Sequence, residues 1–363
     1  MTRLSTAAAR VETPPVPLGI PTFGGAQMAP PRPPHPGLID QYGRTATDLR
    51  VSLTDRCNLR CAYCMPADGL QWLPRSDLLN ATELARLITL AVRDLGITEV
   101  RFTGGEPLLR PELQLIISAA THATPRPRTS LTTNGIGLDN RAAALADAGL
   151  DRVNVSLDTL DAARFARLTR RDRHTDVLAG LRAAYRAGLR PLKINAVLMR
   201  GVNDDEAVPL LRFCLEHEYR LRFIEQMPLD AQHGWERGSL VTAEEILDQL
   251  AAEFTLTPVA ERGSAPAELW LVDGGPATVG VIGSVTRPFC AVCDRTRLTA
   301  DGQLRNCLFA RTETDLRTPL RAGATDTDLA ELWRDAMWAK AAGHRINETE
   351  FAQPARPMSA IGG

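Results

Sequence analysis

The sequence predicts an α/β fold built on a parallel sheet that curls into a partial barrel, and three observations carry that expectation. Six short apolar, β-branched runs alternate with longer amphipathic patterns from residue 49 onward, the order in which helices cover a parallel sheet. Several helical patterns stop at a glycine, as at Gly149 and Gly188, where a left-handed residue closes a helix. The 363 residues, 44% hydrophobic and 23% charged, have ordinary globular composition and suffice for a barrel with an appendage.

The elements follow in order. The first 45 residues hold nine of the 25 prolines without a hydrophobic period, which predicts a disordered or extended N-terminal extension. An organellar transit peptide is the alternative there, with Arg3 and Arg10 in place but Glu12 intervening. Candidate strands fall at 49–53, 99–102, 129–132, 152–157, 192–198 and 221–224, making 46–228 the barrel and 229–363 a C-terminal region. Candidate helices fall at 82–95, 140–148, 174–187 and 204–216, the first behind Asn80 with Glu83 three residues on as a capping box. No run of about 18 apolar residues occurs, so no transmembrane helix is expected.

Chemistry in such a barrel gathers at the C-terminal ends of the strands. Cys57 follows the first strand, Gly104-Gly105-Glu106-Pro107 the second, Thr133-Asn134-Gly135 the third, Asp158 the fourth and Glu225-Gln226-Met227 the sixth. Two consecutive glycines permit close backbone approach to a ligand; an ordinary strand-to-loop turn is the other reading.

Six of the seven cysteines form two triplets, and with no signal-peptide pattern they point to metal binding in a reducing compartment. Cys57, Cys61 and Cys64 have the spacing C-x3-C-x2-C. Three thiolates hold three irons of a four-iron cubane and leave one open to the amino and carboxylate groups of a small ligand such as S-adenosylmethionine (SAM), whose reductive cleavage yields a carbon radical. A closed zinc site wants four ligands and usually another spacing, and a ferredoxin-type site would bring a fourth cysteine nearby. Cys290, Cys293 and Cys307 form the second triplet, open to a cluster or to zinc with a further ligand. Cys214 stands alone and reads as a small buried hydrophobe. The six histidines form no ligand spacing.

The net charge of −1 supplies no overall field for nucleic acid or a membrane, so an anionic ligand must be met by a local cluster. Among 42 basic residues only Lys193 and Lys340 are lysine. That bias reflects genomic composition and leaves Lys193 conspicuous.

The first triplet resembles the signature of the radical SAM superfamily. The second, set in Phe289-Cys290-Ala291-Val292-Cys293-Asp294-Arg295-Thr296-Arg297 and closed by Arg305-Asn306-Cys307-Leu308, resembles the C-terminal cluster motif of the GTP 3′,8-cyclase (MoaA) family of molybdenum cofactor biosynthesis. Leu49-Arg50-Val51-Ser52, Val100-Arg101-Phe102, Lys193-Ile194-Asn195, Arg222-Phe223-Ile224-Glu225 and the terminal Ile361-Gly362-Gly363 support the likeness, which runs from about Leu49 to the last residue. The proline-rich extension lies outside it, and Glu99 stands where relatives often carry a basic residue, which puts one phosphate contact in doubt.

The resemblance implies three-quarters of a (β/α)8 barrel, a TIM-like (β/α)6 radical SAM barrel with a C-terminal Fe-S cluster extension. It implies two 4Fe-4S clusters on the two cysteine triplets and SAM contacts at Tyr63, Gly105, Ser156 and Met227. GTP contacts are implied at Arg50, Arg101, Thr132, Lys193, Arg222, Arg295 and Arg297, and roles in the reaction for Arg295, Arg297 and the Gly362-Gly363 tail, expected to enter the barrel mouth. The implied activity is cyclisation of GTP to (8S)-3′,8-cyclo-7,8-dihydroguanosine 5′-triphosphate, with H-3′ removed by a 5′-deoxyadenosyl radical. Implied partners are an electron donor such as flavodoxin or ferredoxin and a cyclic pyranopterin monophosphate synthase that takes the product, for a cytoplasmic monomer or homodimer. Arginine's planar fork suits phosphate oxygens and lysine adds a point charge. If strand alternation turns Arg50, Lys193 and Arg222 inward, they form a cationic lumen; Arg295 and Arg297, two apart, share one face of an extended segment. Another radical SAM maturase with an auxiliary cluster, or a non-catalytic zinc scaffold, is the alternative.

Overall fold

The strands alternate in side-chain character with period two, and that alternation decides which face of the sheet is wet. The structure, a computed structural model, describes residues 31–260 and 262–362. Most of the proline-rich stretch and Gly363 therefore lie outside the described residues. Residues 34–363 form one unit.

Strands β1 (Asp48–Ser52), β2 (Glu99–Thr103), β3 (Arg128–Thr133), β4 (Arg152–Ser156), β5 (Lys193–Val197) and β6 (Arg220–Ile224) pair in sequence order and in parallel. All six predicted strands form, within one or two residues of the expected bounds. Helices α1 (Ala81–Leu95), α2 (Leu113–Thr121), α3 (Ala142–Asp147), α4 (Ala162–Thr169), α5 (His174–Arg186) and α6 (Ala207–Glu216) connect them. The capping box at Asn80 is present, with Asn80 accepting from the Glu83 amide and Glu83 accepting from the Asn80 amide. Helix α6 starts three residues later than expected, because Asn203 and Asp204 are spent on turn hydrogen bonds to the amides of Met199 and Gly201.

The C-terminal region does not stand apart from the barrel. Further strands are β7 (Leu256–Pro258), β8 (Glu268–Val272), β9 (Thr278–Ile282), β10 (Arg295–Leu298), β11 (Gln303–Arg305) and β12 (Thr314–Asp315). They join the same sheet, in the order β12-β11-β10-β1-β2-β3-β4-β5-β6-β9-β8-β7. Strand β10 lies parallel to β1 and β9 parallel to β6, so the expected six-stranded parallel sheet is extended on both edges. The boundary expected near residue 228 thus falls within one continuous sheet. Helices α7 (Ala243–Ala251), α8 (Arg317–Arg321), α9 (Asp326–Trp338) and α10 (Met358–Ile361) complete the chain.

Residues 34–45, expected to be disordered, are packed. Leu38 is fully buried, and Arg44 pairs with Asp40 while donating to the carbonyls of Cys290, Ala341 and Ala342. The proline content conceals one buried leucine and one buried ion pair that tie this segment down.

Leu49, Val51, Val100, Phe102, Val153, Val155, Ile194, Leu221 and Phe223 meet the helices in one core. Their neighbours Arg50, Arg101, Asn195 and Arg222 line the opposite face, which encloses a cavity. An ordinary barrel of this type fills its interior with branched apolar side chains; this one keeps a polar lumen. Among the described residues, no helix is long and apolar enough to cross a membrane.

Candidate active site

Three cavities meet along the lumen. The first, about 150 Å3, is lined by Cys57, Cys61 and Cys64 with Gly104, Gly105 and Tyr63. The central one, about 230 Å3, is lined by Arg50, Arg101, Asn195, Arg222, Arg295 and Arg297 among others. The third, about 70 Å3, is lined by Cys290, Cys293 and Cys307 with Phe289, Asn306 and His344. Tyr63, Thr132, Ser156, Asp158 and Met358 line both the first and the central cavity. Met227, Ser284, Phe289, Arg295, Arg297 and Leu308 line both the central and the third. A ligand in the centre therefore touches the walls of both thiol sites.

The first thiol loop is fixed by the elements around it. The amides of Arg60 and Ala62 donate to Thr169 and Leu168 at the end of α4, and the Cys64 amide donates to the Cys61 carbonyl. Asn134, at the end of β3, sends its amide nitrogen to the Cys57 sulfur at 3.9 Å and to Asn58 Oδ1 at 2.7 Å. Asn134 is itself held by Glu106, which accepts from the Asn134 amide, the Leu108 amide and the Thr133 hydroxyl. Burial pushes the Glu106 carboxyl up to about 7 against those bonds. Gly104 and Gly105 have no room for a side chain: a Cβ would lie 2.4 Å from the Thr54 carbonyl oxygen at the first and 2.3 Å from the Arg56 carbonyl oxygen at the second. These glycines let the β2 loop run directly against the thiol loop. Tyr63 donates to Asp158 at 2.8 Å, and burial lifts that carboxyl to about 6.

The donor chemistry fits clusters better than a closed zinc site. All six triplet thiols are free and partly exposed to their cavities. Burial pushes Cys57 up to about 11 and, with the Cys57 thiol beside it, Cys64 up to about 12, so loading of metal displaces protons. Among the described residues, no three His, Cys, Asp or Glu side chains form a group placed to hold one metal ion. Thiolates on separate irons of a cubane stand further apart than ligands on one ion. His344, at the third cavity, is not free to complete a zinc site: its Nδ1 accepts from the Ile346 amide and its Nε2 faces the Ser284 carbonyl at 3.1 Å.

The central cavity is cationic. Register places Arg297, Arg50 and Arg101 side by side on β10, β1 and β2, and like charges directly opposite one another are unfavourable. One carboxylate, Asp48, stands among them, 3.8 Å from Arg50, 3.9 Å from Arg101 and 3.6 Å from Arg295. The buried Nε atoms of Arg50, Arg101 and Arg295 have no hydrogen-bond partner. Burial and the other arginines push Arg297 and Arg222 each down to about 10. On β9, Gly280 leaves room for Arg222, since a Cβ there would come within 3.2 Å of the Arg222 Cγ. The arginines outnumber the carboxylates here, and a polyanion would supply the missing negative charge.

The expected residues are distributed unevenly over this geometry. Tyr63, Gly105 and Ser156 line the first cavity, whereas Met227, expected beside them, lines the central and third cavities. Arg50, Arg101, Thr132, Arg222, Arg295 and Arg297 line the centre. Lys193 opens β5 and lines none of the three cavities; burial with Arg222, Arg152 and Arg101 nearby pushes its amine down to about 7. Glu99 pairs with Arg128 and Arg152, so it neutralises cations at the strand base. Glu225 accepts from the amides of Ala243, Val285 and Thr286 and is structural. Gly362 is buried at the barrel mouth, where its carbonyl accepts from Arg297. Cys214 is buried in α6 as expected. Asp48 was not singled out in the sequence, where inward alternation along β1 was the available signal; Asn134 and Phe289 were noted within their motifs but given no role.

Comparison with known proteins agrees with this arrangement. Residues 51–214 match the Radical SAM superfamily, and residues 219–346 match Molybdenum Cofactor Synthesis C. The chain is 66% identical to GTP 3′,8-cyclase of Streptomyces coelicolor over 328 residues, 90% of this chain and 96% of that protein. It is 63% identical over 348 residues to GTP 3′,8-cyclase of Mycobacterium sp. (strain KMS), covering 96% of this chain and 99% of that one. So long an alignment takes in part of the first 45 residues, which corrects the expectation that the extension lies outside the match. Streptococcus suis SuiB bound to S-adenosylmethionine superposes with a TM-score of 0.55 at 15% identity, over 80% of this chain and 67% of that one. That likeness shows the fold alone.

Proposed function

The chain belongs to the GTP 3′,8-cyclase family of radical SAM enzymes, and from that premise we propose how its residues divide the work. The reaction is cyclisation of GTP to (8S)-3′,8-cyclo-7,8-dihydroguanosine 5′-triphosphate in molybdenum cofactor biosynthesis, a lyase reaction using SAM and two 4Fe-4S clusters. When bound, the first cluster supplies the electron for reductive cleavage of SAM and the second supplies an open iron to the purine.

Cys57, Cys61 and Cys64 hold the first cluster; Cys290, Cys293 and Cys307 hold the second. Gly105, Tyr63 and Ser156 face SAM. The backbone of Gly105 comes close where no side chain fits, and Asp158 fixes the Tyr63 ring by its hydroxyl. The row Arg297, Arg50 and Arg101, with Arg222 across the lumen, binds the triphosphate, which satisfies the unpartnered guanidinium nitrogens and relieves their mutual repulsion. Arg295 and Thr132 line the same cavity, and Lys193 adds charge at its base. Gly362, held by Arg297, closes the mouth and excludes water. Arg297 thereby links occupancy of the anion site to the position of the tail.

One observation carries this reading: the cationic central cavity shares walls with both thiol cavities. Anaerobic incubation with GTP, SAM and a strong reductant, followed by product analysis, tests it. Cyclised nucleotide is expected, and 5′-deoxyadenosine without any altered GTP would defeat it. Electrons come from a flavodoxin or ferredoxin, the product passes to a cyclic pyranopterin monophosphate synthase, and the enzyme works in the cytoplasm as a monomer or homodimer.

A further inference from the structure

The chain has two lysines among its 42 basic residues, and the second, Lys340, is buried at 3% exposure just beyond the end of α9. An ammonium carries three donors and no acceptor, and all three are directed at the second thiol loop. Nζ lies 3.0 Å from the Cys293 carbonyl oxygen, 2.9 Å from the Arg295 carbonyl oxygen and 3.5 Å from the Cys293 sulfur. No carboxylate pairs with it within ion-pair distance among the described residues. The Arg295 guanidinium adds a second cation 3.8 Å from the same sulfur. Two cations therefore face the Cys293 sulfur.

We propose that Lys340 is a positioning and redox-tuning residue of the second cluster, a fixed positive charge hydrogen-bonded to the Cys293 thiolate that makes this cluster easier to reduce. Hydrogen bonds to the ligand sulfurs and nearby charge are among the factors that set an iron–sulfur potential. The compact ammonium reaches two carbonyls and a sulfur at once, which holds its charge against the Cys293 sulfur. The inference rests on assigning the second triplet to a cluster, and the test separates the two claims.

Replacing Cys61 with Ala removes the first cluster and leaves the second as the reporter. In that background, Lys340→Met removes charge and donors, Lys340→Gln keeps donors without charge, and Lys340→Arg keeps charge. After anaerobic reconstitution and iron and sulfide analysis, the one-electron reduction of each is followed by electron paramagnetic resonance against graded dithionite. The Met and Gln variants are expected to be about tenfold harder to reduce, about 59 mV for one electron, with Arg close to the parent. Loss of second-site iron from Met and Gln but not Arg would support the same requirement for charge. Unchanged reduction in both Met and Gln, or equal loss of iron from all three, would overturn it and leave Lys340 as a structural staple. Absence of a second cluster from the Cys61→Ala parent would defeat the cluster assignment itself.

Discussion

Gly362→Ala adds one methyl at the barrel mouth, and the structure sets its cost. Gly362 has φ of 86° and ψ of 116°, a conformation unfavourable for an L side chain. The new Cβ would lie 2.8 Å from the Thr103 Cγ2 and 3.2 Å from the Ser52 Cβ, both at strand ends of the barrel. The backbone strain costs about 1–2 kcal/mol, and crowding in a packed site costs about 1–3 kcal/mol. A total of about 2–5 kcal/mol shifts the docked tail toward the undocked by at least about 30-fold. The tail would leave rather than deform the mouth, taking its carbonyl away from Arg297. The assay compares wild type and variant at equal iron and sulfide content, measuring cyclised product and 5′-deoxyadenosine from the same reaction. Product should fall at least about 30-fold while SAM binding persists, and residual SAM cleavage should no longer track GTP. Product formation within twofold of wild type would refute the argument that a docked tail is needed.

Other predictions concern the clusters and the anion site. Cys61→Ala should abolish 5′-deoxyadenosine formation while about half the iron remains on the second triplet, checked by iron analysis of the anaerobically reconstituted protein. Arg297→Ala should weaken GTP function by about 2–4 kcal/mol, about 30- to 1000-fold, with iron content unchanged, because it removes a charged contact from a buried site; calorimetry with GTP and turnover rates decide this. Lys193 makes GTP affinity depend on pH. Its amine is held near 7 by burial and by Arg222, and a bound polyanion restores its charge, so binding takes up a proton above pH 7. Affinity should fall as pH rises from about 7 to 9, by at most tenfold per unit for one proton, and Lys193→Met should flatten the profile.

The barrel strands were readable because each alternates apolar and polar residues, as in Leu49-Arg50-Val51 and Leu221-Arg222-Phe223, and that same alternation turned the arginines inward. Helices α2 and α4 escaped notice. The first follows Pro111, is apolar over most of its length and carries β-branched Ile116 and Ile117, and the second spans only eight residues, about two turns. Strands β9 and β10, which extend the six-stranded sheet, depend on pairing with β6 and β1 across long stretches of chain, which no local pattern encodes. The thiol triplets stood out by spacing alone, yet the contacts that set their environment did not. Asn134, Glu106 and Lys340 reach the sulfurs or their loops from distant elements, and the scarcity of lysine drew attention to Lys193 and not to Lys340. Met227 was placed with the SAM contacts by its position after β6, and the β6 loop sets it on the walls of the central and third cavities.

The central claim is that GTP lies between the two thiol sites with its ribose turned toward the first. Transfer of label from GTP deuterated at C3′ tests this most directly. Mass spectrometry of the 5′-deoxyadenosine formed anaerobically should show one deuterium per molecule when GTP is saturating. Unlabelled 5′-deoxyadenosine, formed at the same rate with GTP consumed, would contradict it.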